Sequence, residues 1–116
     1  MSDTAFSSDE YVSVTKETMD TVLKLGKLKG GEYSGDDDRL LNFRRGGRNF
    51  RVPAELVMMI YAGKHWDALV QYTQDLVHGK SRERLEGIEG RIDDIINYLI
   101  LFKCMYRERC RQYPPK

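Results

Sequence analysis

Apolar residues recur at intervals of three and four along most of this chain, with charged residues between them. That period belongs to helices. Val12, Met19, Val22, Leu23 and Leu25 can share one face, while Lys16, Glu17, Asp20 and Lys24 lie elsewhere. The spacing predicts a first helix from Val12, weakened at Gly26 and ended by Gly30-Gly31. Residues 1–10 are rich in Ser and Asp without periodicity, and are expected to form a flexible arm. A second long helix is predicted over 54–78, with Pro53 and Glu55 suited to its start and Gly79 to its stop. Its apolar band includes Leu56, Val57, Ile60, Trp66 and Val70, and is wide enough for two neighbours. Over 82–111, Ile88, Ile92, Ile95, Ile96, Leu99, Phe102 and Met105 keep helical spacing, interrupted by Gly87 and Gly90 into one helix or two. Alternating patterns are short, so strands are not expected. The expected fold is all-α: a small antiparallel bundle of three to four helices over 11–113, oligomeric through the broad band on the second long helix.

Between the first two long segments lies a stretch of different character. The triplet Asn-Phe-Arg occurs at 42–44 and again at 49–51, with Arg45, Gly46, Gly47 and Arg48 between. Asp36 or Asp37 is expected to cap a short helical turn through Leu40, Leu41 and Phe43, which Gly46-Gly47 then breaks. A Gly/Arg-rich loop over 44–52 follows from that reading. Phe43 and Phe50 would anchor its two ends, and its arginines would serve either phosphates or only solvent.

Composition narrows the classes. A chain of 116 residues suits one domain. A formal net charge of +1 gives no general attraction for nucleic acid or membranes, and a single Arg-Gly-Gly is a weak RNA signal, so a nucleic-acid partner is not expected. No apolar run approaches the ~18 residues a bilayer requires. The polar start is not that of a secretory signal. Cys104 and Cys110 match no zinc spacing and are expected as reduced thiols in a cytoplasmic protein.

Polar residues interrupt the apolar bands in three places. Lys64-His65-Trp66-Asp67 does so in the second long helix, and Asp93-Asp94 with Asn97-Tyr98 in the last. Glu86, Glu89 and Asp93 stand three and four apart, on one face of a helix. Carboxylates so spaced suit Mg²⁺, which shares its shell with water and phosphate oxygens, and they equally suit a solvated helix face. Asp94 sits among isoleucines and needs partners, which Lys64 or His65 can supply. His65 alone is more typical of a hydrogen-bonded core residue. Trp66, Tyr61 and Tyr72 are expected mainly in the core.

Taken in order, Gly31-Glu32-Tyr33, Asp37-Asp38, Asn42-Phe43, Lys64-His65 and Asp94-Ile95-Ile96-Asn97-Tyr98-Leu99 resemble a family of phage and bacterial proteins. It is the nucleotide-modification-associated family, similar to the all-α, MazG-like nucleoside triphosphate pyrophosphatases. The resemblance covers residues 15–108. It implies an oligomeric helical bundle in the cytoplasm, that of the bacterial host if phage-encoded, binding a nucleotide with Mg²⁺. Active members cleave the α–β phosphate bond with a metal-activated water. Carried onto this chain, Glu86, Glu89, Asp93 and Asp94 would hold metal, with Asp94 and Glu89 the catalytic pair. Tyr33, Asn42, Phe43, Lys64, His65, Asn97 and Tyr98 would line the nucleotide site, and Arg44, Arg45, Arg48 and Arg51 would meet phosphates. The active pattern places Glu three residues before Asp94, and this chain has Arg91 there. That departure opens two alternatives. One is a non-catalytic binder that sequesters a linear or cyclic nucleotide signal of host defence. The other is a module that binds protein or RNA.

Overall fold

Two residues, Ser7 and Glu10, fix the start of the first helix earlier than its apolar period does. Ser7 Oγ accepts the N–H of Glu10 at 3.1 Å, and Glu10 Oε1 accepts the N–H of Ser7 at 3.3 Å. This reciprocal pair satisfies two helix-end donors. A computed structural model describes residues 4–33 and 38–114, with side chains left out at 29–33. Its helices are α1 (Ser8–Tyr33), α2 (Leu41–Phe50), α3 (Ala54–Val77) and α4 (Ile88–Gln112), and no strand occurs among the described residues. The expected arm over 1–10 is therefore shorter, and Gly30-Gly31 do not end α1. Asp36 and Asp37 lie outside the described residues; Asp38 accepts the N–H of Leu40 at 3.2 Å before α2.

The expected loop over 44–52 is mostly helix, because Gly46 and Gly47 serve packing rather than a turn. A Cβ on Gly47 would stand 2.7 Å from the Val52 carbonyl oxygen and 3.2 Å from the Ala54 nitrogen. One on Gly46 would stand 3.0 Å from Val57 Cγ1. Without those carbons α2 folds back tightly on the start of α3. The reversal itself occurs at Arg51, which takes a left-handed conformation (φ 56°), while the Val52 N–H returns to the Gly47 carbonyl at 3.0 Å.

Helices α3 and α4 are antiparallel: Glu55 meets Arg109 at one end, and His65 meets Arg91 farther along. Gly79 (φ +63°) turns the chain after α3. Asp75 holds the connection that follows. It accepts Arg82 Nε at 2.8 Å and Arg84 Nη2 at 3.0 Å, and Arg84 also covers the Tyr72 ring. Arg82 and Gln71 hold the Asp75 carboxyl below its ordinary value of 3.8. The unfolded chain therefore takes up this proton first. The ion network should stabilise the fold above about pH 4 and lose that contribution as pH falls further, with Asp75→Asn flattening the acid limb of thermal unfolding.

The core is small. Phe43, Val57, Met58 and Met105 are buried together under Leu40, with Tyr98 and Leu101 against them. α1 adds Val22 and packs on α4, where Gly26 faces the Asn97 amide. Much of the expected interior is outside. Trp66 is 59% exposed, Phe50 77% and Met19 48%, and Val12, Leu23 and Tyr61 are exposed as well. The reason is geometric. Among the described residues α3 makes its main contacts with α2 and α4, which lie to one side of it.

Candidate functional site

His65 is the buried centre of the polar group between α3 and α4. Its Nδ1 lies 3.0 Å from Arg91 Nη1 and 3.6 Å from Asp94 Oδ2. A guanidinium only donates, so Nδ1 must accept, and the imidazole proton sits on Nε2. The His65–Asp94 approach is then a contact without a hydrogen between the two atoms. Burial, the largest cause, with Arg91 and Lys64 assisting, pushes the His65 pKa below its ordinary 6.5, against the pull of Asp94 and Glu86. The unfolded chain protonates His65 at the ordinary value while the folded chain resists. Stability should fall as pH drops below about 6.5, less steeply in His65→Asn, as read by thermal unfolding across that range.

Arg91 also reaches Glu86 Oε2 at 3.3 Å. Ligand atoms of His65, Glu86 and Asp94 all lie within 4.8 Å of one another, a spacing that suits a cation. A cation is already among them: the Arg91 guanidinium, within 3.3 Å of both His65 and Glu86. Glu86 precedes α4, which begins at Ile88, so it does not share a helix face with Glu89 and Asp93. Those two form a different acidic group. Burial and the charges of Glu89, Asp94 and Glu17 raise the pKa of Asp93. Glu17, on α1, had no signal in the sequence beyond its place on a polar side. The four expected metal ligands thus divide between two surroundings.

The arginines gather elsewhere. Arg44, Gly47, Arg48, Arg51, Val52, Pro53, Ala54 and Arg109 line a shallow groove of about 450 Å³, within the ordinary range for a small-molecule site. Arg44 is bound to Glu108 at 2.7 and 3.0 Å and to Asp38, and Arg109 is bound to Glu55. Arg48 and Arg51 are exposed and meet no acid among the described residues. The groove thus pairs two fixed guanidinium groups with two open ones over an apolar floor. Arg109 was not foreseen as part of it, being more than fifty residues away in sequence.

No family model, curated protein or solved structure matches the chain. The family resemblance therefore rests on its motifs, of which Asp37 lies outside the described residues. Phe43, Tyr98 and His65 form a chain of ring contacts at 6.2 and 5.8 Å, ending at the Arg91 group. Phe43 is buried and faces the core. Asn42 and Asn97 are half-buried, Asn97 toward α1. Lys64 and Arg45 are exposed and line neither the groove nor the His65 group. The Tyr33 side chain lies outside the described residues.

Proposed function

We propose that this chain binds a nucleotide through its phosphates, in the groove between the end of α2 and the start of α3, and retains it without hydrolysis. The observation that carries the reading is the pair of open arginines, Arg48 and Arg51, beside the ion-paired Arg44 and Arg109. A guanidinium fork suits phosphate oxygens, and groups already fixed by ion pairs lose little freedom on binding. Arg91 supports the non-hydrolytic half. It neutralises the carboxylate group in which a catalytic metal would otherwise be held. A sequestering role toward a linear or cyclic nucleotide fits such a protein, and no helix among the described residues is long and apolar enough to cross a membrane.

The test is calorimetric titration with ATP and with a cyclic dinucleotide. A hydrogen bond to a charged group contributes about 1.5–3 kcal/mol. Arg48→Ala with Arg51→Ala should therefore weaken binding on the order of 100-fold or more, with unfolding unchanged. Equal affinity in wild type and double variant would remove the groove from the account.

One observation favours a second reading, Mg²⁺-dependent pyrophosphate release with Glu89 and Asp93 at the metal and Asp94 beside them. Asp93 stands in the field of three other carboxylates with its pKa raised. Its charge therefore opposes folding as pH rises past the ordinary carboxylate range. Asp93→Asn should stabilise the protein at pH 7. If this second reading holds, Mg²⁺ should raise the unfolding temperature of wild type and leave Asp93→Asn unmoved.

A further inference from the structure

The second half of α4 carries charge of almost one sign. Glu108 is the only acid after Asp94, and it is bound to Arg44 on the side that α2 covers. Lys103, Arg107 and Arg111 stand four residues apart, so they form one row along the helix. All three are exposed and meet no acid among the described residues. Beside that row runs an apolar stripe. Leu99, Phe102 and Tyr106 are spaced three and four apart, with Leu99 65% and Tyr106 59% exposed. They are turned away from Tyr98 and Glu108, the residues of α4 that meet α2.

α3 supplies the opposite wall. It runs antiparallel to α4, and the Glu55–Arg109 and His65–Arg91 contacts bracket Met59 on α3 with Leu99, Phe102 and Tyr106 on α4. Met59 and Trp66 lie on the flank of α3 away from Val57 and Tyr61, which meet α2, and both are exposed. Asp67 is turned about 100° from Trp66. The two helices thus form a shallow trough, apolar between its walls and cationic along the α4 edge. An exposed apolar patch rimmed by charge marks a binding surface. The rim decides what fits. A wholly apolar helix would leave Lys103 and Arg107 beside a dry contact without counter-charge. A basic helix would be repelled. A helix with leucine-like residues three and four apart and acids along one flank answers both features: its ridge fills the trough, and its carboxylates reach the cationic row. The stems of Lys103 and Arg107 can lie against that ridge while their heads meet the acids. Met59 and Leu99 offer aliphatic contact, which suits side chains better than stacked bases.

We infer that the trough between the start of α3 and the end of α4 docks an acidic amphipathic helix of another protein. It shares no residue with the nucleotide groove, so it stands or falls separately from the proposed function.

The probe is a synthetic helical peptide of about 20 residues, ~30 Å long, without tryptophan, with a leucine ridge flanked by glutamates. A second peptide carries lysine in place of each glutamate. In calorimetric titration of the full chain, the glutamate peptide should bind and weaken as salt is raised, while the lysine peptide binds at least tenfold more weakly. Trp66 is the only tryptophan, so its emission should shift to the blue as the glutamate peptide docks. Lys103→Glu with Arg107→Glu should reverse the preference between the two peptides, with helical circular dichroism unchanged because both side chains are exposed. Met59→Ser with Trp66→Ser should abolish binding of either peptide. Lys80→Glu, exposed in the α3–α4 connection, should leave the preference as it is. The Arg48→Ala, Arg51→Ala variant should bind the glutamate peptide as wild type does. No binding of that peptide, equal affinity for the two peptides, or a preference that survives the charge reversal overturns the inference. So does a wild type that sediments as a pair and is separated by the Met59→Ser, Trp66→Ser change, since a second copy would then occupy the trough.

Discussion

Gly47→Ala should destabilise the protein by about 1–3 kcal/mol, the ordinary range for forcing extra volume into a packed site, even though alanine is the better helix former by about 1 kcal/mol. Its new carbon would stand 2.7 Å from the Val52 carbonyl oxygen and 3.2 Å from the Ala54 nitrogen. Both are backbone atoms in the α2–α3 reversal, so no rotamer change relieves the clash. The turn must open, and with it the left-handed Arg51 that ends α2. Gly46→Ala provides the comparison. Its carbon would meet a Val57 methyl at 3.0 Å, a contact that side-chain movement can ease. Denaturant unfolding of both variants should show a large loss for Gly47→Ala and a small one for Gly46→Ala. Since the groove is built on this reversal, Gly47→Ala should also weaken nucleotide binding.

Phe43→Ala should cost about 3–5 kcal/mol, the range for removing a buried aromatic. Phe43 is 4% exposed and lies between Tyr61 and Tyr98, at centroid distances of 6.1 and 6.2 Å. Through it α2 reaches both α3 and α4. Denaturant unfolding of Phe43→Ala and Phe43→Leu should rank them with the alanine variant far less stable. A Phe43→Ala protein as stable as wild type would mean that the core assignment is in error.

The helical class and the long helices were legible from periodicity. The predicted 54–78 helix and the observed α3 differ by one residue. That Asp94 would lie against polar residues of α3 was legible too, because a carboxylate among isoleucines calls for them; His65 Nδ1 stands 3.6 Å away but accepts from Arg91 rather than donating to Asp94. Arg91 was visible only as a departure from a motif. Its role depends on α3 and α4 meeting at this height, which no local pattern encodes. Gly46-Gly47 misled because glycine serves both reversals and close packing, and only the position of Val52 and Ala54 decides which. Ser7 and Glu10 did carry a readable start signal, a serine followed three residues later by glutamate. The apolar band on α3 pointed to two neighbours; among the described residues these are α2 and α4, and Trp66 and Met59 stay exposed.

The most direct measurement is one incubation of the protein with a mixture of linear and cyclic nucleotides plus Mg²⁺, followed by mass spectrometry of the free and protein-retained fractions. The account predicts a nucleotide recovered intact with the protein, and its loss in the Arg48→Ala, Arg51→Ala variant. Conversion of a triphosphate to its monophosphate would contradict the non-hydrolytic claim. Retention of nothing would contradict nucleotide binding itself.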